Sequence, residues 1–200
     1  MEAGENSNQQ REHYTSKGWS LGANIGVNGS GIIGANASIN KAKQTGDTDV
    51  TTHTGRTVTA TNTASITSGH DTTLVGSKVA GEQVTANVGG NLSIISVQDE
   101  KTYTGTSSNK GLSISTTGGS IGNVSFVNNK GSMNSTYKSV TEQAGVYAGD
   151  KGFSIDTKGT TSLVGAVIHS DAEANKNTLT TGSLTTESIH NTAEYTSRNT

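Results

Sequence analysis

Apolar residues alternate with small or polar residues in two neighbouring stretches near the start of the chain. The alternating positions are Trp19, Leu21, Ala23, Ile25 and Val27, followed by Ile33, Ala35, Ala37 and Ile39. A period of two is typical of a β-strand with one apolar face. The intervening segment, Asn28-Gly29-Ser30-Gly31, has the composition of a tight turn. The pattern therefore predicts a β-hairpin over residues 18–40.

A weaker version of this pattern lies near the middle of the chain, on either side of a Gly-Gly pair. Its apolar positions are Leu112, Ile114, Val124 and Phe126. We expect a second Gly-rich hairpin over residues 111–127, because the same alternation again surrounds a turn sequence.

The chain repeats itself with a period near 90 residues. A Tyr-Thr pair begins at Tyr14, at Tyr103 and again at Tyr195. The spaced apolar and Gly positions of residues 66–79 recur in residues 155–168 with a constant offset of 89. Agreement over several spaced positions is the signature of tandem structural repeats.

These repeats divide the sequence into four parts. Each full copy is predicted to begin with a hairpin and to continue into short strands that stack as coils. The parts are an incomplete boundary segment at 1–13, a first copy at 14–102 with its hairpin at 18–40 and coils at 50–102, a second copy at 103–194 with its hairpin at 111–127 and coils at 136–194, and the start of a third copy at 195–200.

A shorter step of 18–21 residues relates apolar positions within each copy, which fits one turn of a β-solenoid better than a helical repeat. Stacked coils would pair their backbone groups with the coils above and below, and would hold inward side chains in ladders. The step pairs Ile66 with Val84, Leu74 with Leu92 and Val79 with Val97. The full set of predicted core residues is Ile66, Leu74, Val79, Val84, Leu92, Val97, Ile155, Leu163, Ile168, Leu184 and Ile189.

Composition supports a narrow core and excludes several classes of protein. Only 29% of the residues are hydrophobic, while the net charge is −2 and Pro and Cys are absent. Disordered chains usually carry more charge and more Pro, so a β-solenoid fits better. Without a basic surface we expect no nucleic-acid partner, and without Cys no disulfide or thiolate metal site. The first residues lack the pattern of a signal peptide, so we expect a piece of a longer protein.

The two copies of the 66–79 pattern and the segment Gly89-Gly90-Asn91-Leu92-Ser93-Ile94 resemble the haemagglutinin repeats of filamentous-haemagglutinin-type exoproteins. So does the order of a Tyr-Thr pair, a Gly-Trp-Ser-Leu-Gly stretch at residues 18–22, and Thr/Ala-rich strands. The resemblance extends from about Tyr14 to the end of the sequence. That family includes the effectors of contact-dependent growth inhibition. The residues that carry the resemblance contain no invariant catalytic motif.

The resemblance implies a right-handed parallel β-helix. Together with the alternating pattern, the expected fold is all-β, a right-handed parallel β-helix (solenoid) with protruding Gly-rich β-hairpins. The resemblance also implies a secreted protein displayed on the bacterial cell surface. Its partners would be the outer-membrane transporter of a two-partner secretion system and the surface or outer membrane of a target cell. The function expected from it is that of a stalk segment in a filament for adhesion or toxin delivery.

The first hairpin leaves three interpretations open. It packs one apolar face on the solenoid, it offers that face to a partner or to lipid, or it is a flexible Gly-rich linker. We favour the first, although each arm has about the 9–11 residues of a membrane-spanning strand. The residues of the possible contact surface are Trp19, Leu21, Ile25, Val27, Ile33 and Ile39.

The titratable residues form no motif of a metal or catalytic site, so the sequence predicts no cofactor and no enzyme. Three alternatives remain open. A coil step could stack His169 on His190; Asp47-Thr48-Asp49 or the loops at Gly89-Gly90-Asn91 and Gly118-Gly119-Ser120 could bind calcium; and paired carboxylates could cleave a glycan. The carboxylates weighed for glycan cleavage are Asp71, Glu142 and Asp156.

Overall fold

A computed structural model describes residues 1–26 and 31–200 of the chain, and it is built from β-strands joined by short turns. A single turn of 3₁₀ helix, Ala174–Lys176, interrupts the strands of the described residues. The strands are β1 Gly4–Ile25, β2 Ile32–Thr54, β3 Arg56–Ser68, β4 Thr72–Val75, β5 Ser77–Val88, β6 Leu92–Ile95, β7 Asp99–Thr117, β8 Ser120–Ser139, β9 Gly145–Val164, β10 Val167–Ser170, β11 Thr178–Glu187 and β12 Thr192–Asn199.

The described residues form two compact units. The first, here called the parallel unit, comprises Met1–Asn8, Val50–Glu100 and Tyr137–Ala193. The second, here called the hairpin unit, comprises Gln9–Asp49, Lys101–Thr136 and Glu194–Thr200.

The parallel unit contains a seven-stranded, curled parallel sheet built as four successive layers of chain. β3 with β4 forms the first layer, β5 with β6 the second, β9 alone the third, and β10 with β11 the fourth. Every adjacent pair of layers is joined in parallel register. Parallel pairing on both sides of a layer satisfies its backbone polar groups without requiring a large apolar core.

The core of the parallel unit consists of side chains that lie opposite one another in successive layers. Leu74 of β4 pairs with Ile94 of β6, which in turn pairs with Leu163 of β9. Similarly, Ile66 pairs with Ala86, which pairs with Ile155. Ile94 and Ile155 are almost completely buried, so the aliphatic side chains stack in files through the layers.

The predicted ladder partners are wrong by two residues. Ile66 lies opposite Ala86 rather than Val84, and Leu74 lies opposite Ile94 rather than Leu92. Because side chains along a strand alternate with a period of two, a shift of two residues changes the partner and leaves the same face inward. The third predicted pair is also wrong, since Val79 lies opposite Val146 of β9 and not opposite Val97.

The predicted core residues differ in burial. Eight of them are buried or packed against the core: Ile66, Leu74, Val79, Val84, Leu92, Ile155, Leu163 and Ile168. Val97 and Ile189 are partly exposed and follow the ends of β6 and β11. Leu184, predicted as a core residue, is 51% exposed because β11 belongs to the fourth layer and no described strand covers it.

Polar turn residues join the layers where β3 passes to β4 and β5 passes to β6. The Asp71 carboxylate accepts a hydrogen bond of 2.7 Å from the backbone N–H of Asn91. The side-chain carbonyl of Asn91 in turn accepts one of 2.9 Å from the N–H of Thr160 in β9. Such side chains satisfy backbone groups that have no partner within their own layer.

The hairpin unit contains a five-stranded sheet in the order β1-β2-β7-β8-β12. Gly18 lies against Asn40, while Gly22 lies against Asn36, so residue numbers fall along β2 as they rise along β1 and the two strands are antiparallel. Both predicted hairpins lie within this sheet, but their strands extend well beyond residues 18–40 and 111–127. The predicted turn residues Asn28, Gly29 and Ser30 lie outside the described residues.

Candidate functional site

The register of β1 and β2 places their apolar side chains on one face of the hairpin sheet. The hydroxyls of Ser20 and Ser38 form a hydrogen bond of 2.7 Å, which fixes these two residues as direct neighbours. Antiparallel pairing therefore places Trp19 opposite Ile39 on the other face, and both side chains line one surface depression. The same register places Leu21 opposite Ala37.

The apolar face continues across β7 and β8. Thr116 of β7 bonds to the backbone of Ala35, so Ile114 lies opposite Ala37 and Leu112 opposite Ile39. A side chain on Gly111 would contact Val127, so the next positions, Leu112 and Phe126, are also opposite each other. The first apolar row of four strands consists of Trp19, Ile39, Leu112 and Phe126, and the second consists of Leu21, Ala37, Ile114 and Val124.

The opposite face of the sheet is made of small and polar residues. Near the end of β1 and the start of β2 these are Gly18, Ser20, Asn36, Ser38 and Asn40. Further along the sheet, the ring of Tyr103 lies directly over Gly105 and Gly46. A side chain at Gly105 would overlap the Tyr103 hydroxyl, and one at Gly46 would be in tight contact with it. The two faces therefore differ sharply in chemistry, one aliphatic and aromatic, the other Gly, Ser, Asn and Tyr.

The apolar face is open to solvent. Trp19 is 76% exposed, Leu21 74% and Ile25 73%, and Ile33 and Ile39 are also exposed. Among the described residues of the hairpin unit, none covers this face, and its packing on the solenoid, the favoured interpretation of the sequence, stays a prediction. The linker interpretation is wrong because these residues form regular strands. Val27, the remaining residue of the predicted contact surface, lies outside the described residues. Apolar patches of this kind on a protein surface usually mark an interaction site.

A repeated side-chain bond, which the sequence analysis missed, lies in the parallel unit. The Asp99 carboxylate accepts a hydrogen bond of 2.6 Å from the backbone N–H of His53. The side-chain carbonyl of Asn191 accepts the equivalent bond of 2.9 Å from the N–H of Val140. Asp99 and Asn191 each stand four residues before a repeated Tyr-Thr pair, so alignment of the copies was the available signal.

Asp99 is the carboxylate whose ionisation the structure perturbs. Partial burial raises the pKa of Asp99, but hydrogen bonds from Thr141 and from the His53 backbone, with the nearby His53 ring, outweigh it and lower the pKa below 3.8. A lowered pKa means that the ionised carboxylate stabilises the fold above pH 3.8, and that this stabilisation declines as the pH falls through the lower, folded-state pKa. The group is thus a structural link rather than a proton donor poised near neutrality.

The three carboxylates that are candidates for glycan cleavage each have a different neighbour in the structure. Asp71 caps the turn at Asn91, and Asp156 lies 3.4 Å from the amine of Lys158. Glu142 lies beside Gly55. In residues 1–26 and 31–200, no observation brings these three carboxylates into one site, so nothing in the geometry favours the glycosidase hypothesis.

The described part of the chain has no group of three or more His, Cys, Asp or Glu residues that could hold a metal ion. His169 pairs instead with Asp171 at 3.0 Å, and the backbone of His190 accepts a bond from Gln98. Asp47-Thr48-Asp49 lies within strand β2 rather than in a loop. The Gly118-Gly119 pair forms the turn between β7 and β8, with positive φ at both residues.

Comparison with known families agrees with this repeat architecture. Residues 1–110 match the model of the hemagglutinin repeat. The chain belongs to the hemagglutinin repeat family. The family resemblance predicted from the Tyr-Thr pairs and the 66–79 pattern is therefore confirmed. No solved structure matches this hemagglutinin repeat chain.

Relatives of this hemagglutinin repeat chain include long toxins. The toxin CdiA of Escherichia coli is 39% identical over 201 residues, which cover 98% of this chain and 6% of the relative. The tRNA nuclease CdiA of Yersinia mollaretii is 34% identical, over 98% of this chain and 7% of the relative. The deoxyribonuclease CdiA of Yersinia pseudotuberculosis is 39% identical, over 91% and 17%. The chain thus spans less than a tenth of the length of the first two relatives.

Within the described ranges, no helix has the length and apolarity required to cross a bilayer.

Proposed function

We propose that this chain is a structural segment of a secreted cell-surface filament that carries a toxin to neighbouring bacteria. Membership of the hemagglutinin repeat family and similarity to proteins named toxin and nuclease CdiA support this proposal. The segment itself would have no enzymatic activity and no nucleic-acid partner. The whole protein would be exported by an outer-membrane transporter of a two-partner system, and it would meet the surface of a target cell.

The four parallel layers support a role in building length. We infer that they are turns of a right-handed parallel β-helix, because each layer pairs in parallel with the next and contributes to the same files of side chains. Each added layer would lengthen the structure by about 4.8 Å. Repeated stacking of this kind projects a distal domain without requiring a large core.

One comparison between equivalent positions carries the proposal. Leu92 in the second layer is 1% exposed, because it lies between Thr72 of β4 and Thr161 of β9. Leu184 occupies the corresponding position in the fourth layer, opposite the same Thr161, and is 51% exposed. The fourth layer thus presents a leucine with a paired strand on one side only, and a further layer would cover its other side as β4 covers that of Leu92.

The test is a chain lengthened by one repeat, with a second copy of residues 103–194 inserted after Glu194. Since the chain has no Cys, Leu184→Cys supplies a single thiol whose alkylation rate reports exposure. We expect the thiol to react at least tenfold more slowly in the lengthened chain than in the 200-residue chain, because the added β9-like layer covers position 184.

Ser183→Cys serves as the matched control for that measurement. Ser183 is exposed and adjoins Leu184, so its side chain points to the other face of β11. Its thiol should react equally fast in both chains. Equal alkylation rates for Leu184→Cys in the two folded chains would refute the stacking of further layers.

A second candidate function is direct engagement of the target outer membrane, and the exposed apolar face of the hairpin unit favours it. The face extends over four strands and carries the aromatic side chains of Trp19 and Phe126. Strands with one apolar and one polar face suit the boundary between lipid and water. In this hypothesis the hairpins bind lipid while the parallel unit supplies the stalk.

Vesicle flotation tests lipid engagement. We expect the chain to float with vesicles of outer-membrane lipids, and we expect Leu21→Asp to reduce the floating fraction at least fivefold, because the charge enters the centre of the apolar face. Ser20→Asp adds the same charge to the opposite face of β1 and should float like the unchanged chain. Equal flotation of the two variants, or none by the unchanged chain, would exclude engagement through this face.

A further inference from the structure

Five lysine side chains border the apolar face of the hairpin unit, and all five are exposed. They are here called the lysine belt and comprise Lys17 of β1, Lys41 and Lys43 of β2, Lys110 of β7 and Lys130 of β8. Two of them, Lys17 and Lys41, line the surface depression that also contains Trp19. The lysine belt therefore adjoins the apolar face directly.

The register of β1 and β2 places two of the lysines side by side. The hydrogen bond between the Ser20 and Ser38 hydroxyls sets this register, and three residues away from it Lys17 lies opposite Lys41. Each of these lysines is two positions from an apolar residue of the apolar face. Because side chains alternate along a strand, both lysines project from that face.

The register of β2 and β7 extends this row to a third strand. The hydroxyls of Thr45 and Thr106 form a hydrogen bond of 2.6 Å. Four residues away from that bond, Lys41 therefore lies opposite Lys110. Lys43, two residues along β2 from Lys41, belongs to the next row on the same face.

Strand β8 adds a fifth lysine, in the row of Lys43. An added Cβ at Gly131 would overlap the Ser107 hydroxyl, so both of these residues face the polar side of the sheet. Lys130, one position before Gly131, therefore projects from the apolar face. The Cα atoms of the lysine belt thus lie on a strip about 15 Å across the strands and about 7 Å along them, from the usual strand spacing and rise.

The lysine belt is a local accumulation of like charge in a chain whose net charge is −2. Three of its members are direct cross-strand neighbours, and like charges in opposite positions destabilise a sheet. In the described parts of the chain, none of the five lysines forms an ion pair. The residues at the same level on the opposite face are uncharged, namely Ser16, Ala42, Asn109 and Asn129. An anionic partner on the apolar side would relieve this repulsion.

The order of residues along the strands matches the layers of a lipid leaflet. Toward the hairpin turn, the apolar face of β1 presents in succession Lys17, Trp19, Leu21 and Ile25. Lysine suits anionic head groups, tryptophan suits the boundary between head groups and acyl chains, and aliphatic side chains suit the acyl chains. The span from Trp19 to Ile25 is about 20 Å. A tilted strand of that length crosses about one leaflet of a hydrocarbon core about 30 Å thick.

We propose that the lysine belt binds the phosphate groups of anionic lipids whose acyl chains cover the adjoining apolar face. The ligand is a membrane surface rather than a soluble acidic peptide, because such a peptide would match the lysines and leave Trp19 and Leu21 in water. The inference rests on the proposed engagement of membranes and adds a preference among lipids. Attraction between basic residues and anionic head groups is screened by salt.

The single Trp of the chain makes lipid binding directly observable. Emission of Trp19 shifts to shorter wavelength when the indole enters an apolar environment, so a vesicle titration yields an apparent affinity. We expect at least tenfold tighter binding to vesicles of phosphatidylcholine and phosphatidylglycerol in equal amounts than to vesicles of phosphatidylcholine alone. In about 0.5 M NaCl, where the Debye length is below about 5 Å, the two affinities should converge.

Charge reversal at the centre of the lysine belt tests the assigned residues. Lys41→Glu should weaken binding to the mixed vesicles at least tenfold, and circular dichroism should show an intact fold because the new carboxylate lies between Lys17 and Lys110. Lys41→Arg retains the charge and should bind normally. Lys101, two residues before Tyr103 in β7, projects from the polar face. Lys101→Glu therefore makes the same change of charge away from the lysine belt, and it should bind like the unchanged chain.

The outcomes separate this inference from the proposed engagement of membranes. Equal affinity for the two kinds of vesicle, or equal loss of binding in Lys41→Glu and Lys101→Glu, would overturn it. So would saturable binding of a polyglutamate peptide as tight as that of the mixed vesicles, which would assign the lysine belt to an acidic protein. Equal binding to both vesicles that Leu21→Asp abolishes would retain membrane engagement and overturn the lipid preference alone. Binding to neither would exclude engagement through this face as well.

Discussion

Replacing Ile94 with Asp is expected to abolish the folding of the parallel unit. Ile94 is fully buried and lies between Leu74 and Leu163 in successive layers. No basic residue belongs to the buried core around it, so the carboxylate would lose its hydration without gaining a partner. We expect a loss of more than about 4 kcal/mol, a large part of the 5–15 kcal/mol typical of a domain. Urea unfolding followed by far-UV circular dichroism measures it.

The neighbouring isoleucine supplies the matched control. Ile95 lies on the opposite, partly exposed face of β6, and Ile95→Asp should cost about 1 kcal/mol. Ile94→Ala, which leaves a cavity instead of a charge, should cost about 3 kcal/mol. If Ile94→Asp were no more destabilising than Ile95→Asp, the file of side chains through the layers would not be the core of this unit.

Gly152→Ala is the second substitution with a large expected effect. Gly152 has a φ of +73° and lies beside a register shift, where β9 has two more residues than β5. An added Cβ would overlap the backbone carbonyl of Lys176, which cannot rotate away as a side chain can. The left-handed backbone alone costs about 1–2 kcal/mol for a residue with a side chain. We therefore expect a total loss of about 3 kcal/mol, measured by urea unfolding.

Gly69→Ala is the control for this prediction. Gly69 has no positive φ, and an added Cβ there would meet no atom within 4 Å. Its unfolding midpoint should change little, within about 0.5 kcal/mol. A Gly152→Ala protein as stable as the Gly69→Ala protein would show that the bulge in β9 relaxes freely.

The two proposals assign separate tasks to the two sheets. Aliphatic side chains of the parallel unit are buried in files, which suits a rigid repeating support. Those of the hairpin unit are exposed on one face, which suits contact with another surface. Both arrangements arise within a single repeat, because each copy supplies one hairpin and two parallel layers.

Local patterns in the sequence were sufficient to predict the strands and which of their faces point inward. Alternation around Gly-rich turns predicted both hairpins, and the recurrence of residues 66–79 predicted equivalent layers. The low hydrophobic content favoured a narrow core. The sequence predicts these features because strand alternation and tandem repetition are both patterns of residue types along the chain.

The residues that lie opposite each other on adjacent strands could not be predicted in the same way. A shift of two residues preserves the inward face, so the apolar pattern alone allowed Leu74 to pair with either Leu92 or Ile94. The structure selects Ile94. The hydrogen bonds of Asp99 and Asn191 were also missed, since they join residues about 50 positions apart in the chain.

The sequence by itself determined that this protein is a tandem β-repeat of the hemagglutinin type, because composition, turn residues and repeat spacing are properties of the chain. Only the tertiary structure decided the fate of its apolar residues. Leu92 and Leu184 occupy equivalent positions in the repeat, yet one is buried and the other half exposed. The physical reason is that burial depends on whether another layer lies above a residue, which its own neighbours in sequence do not specify.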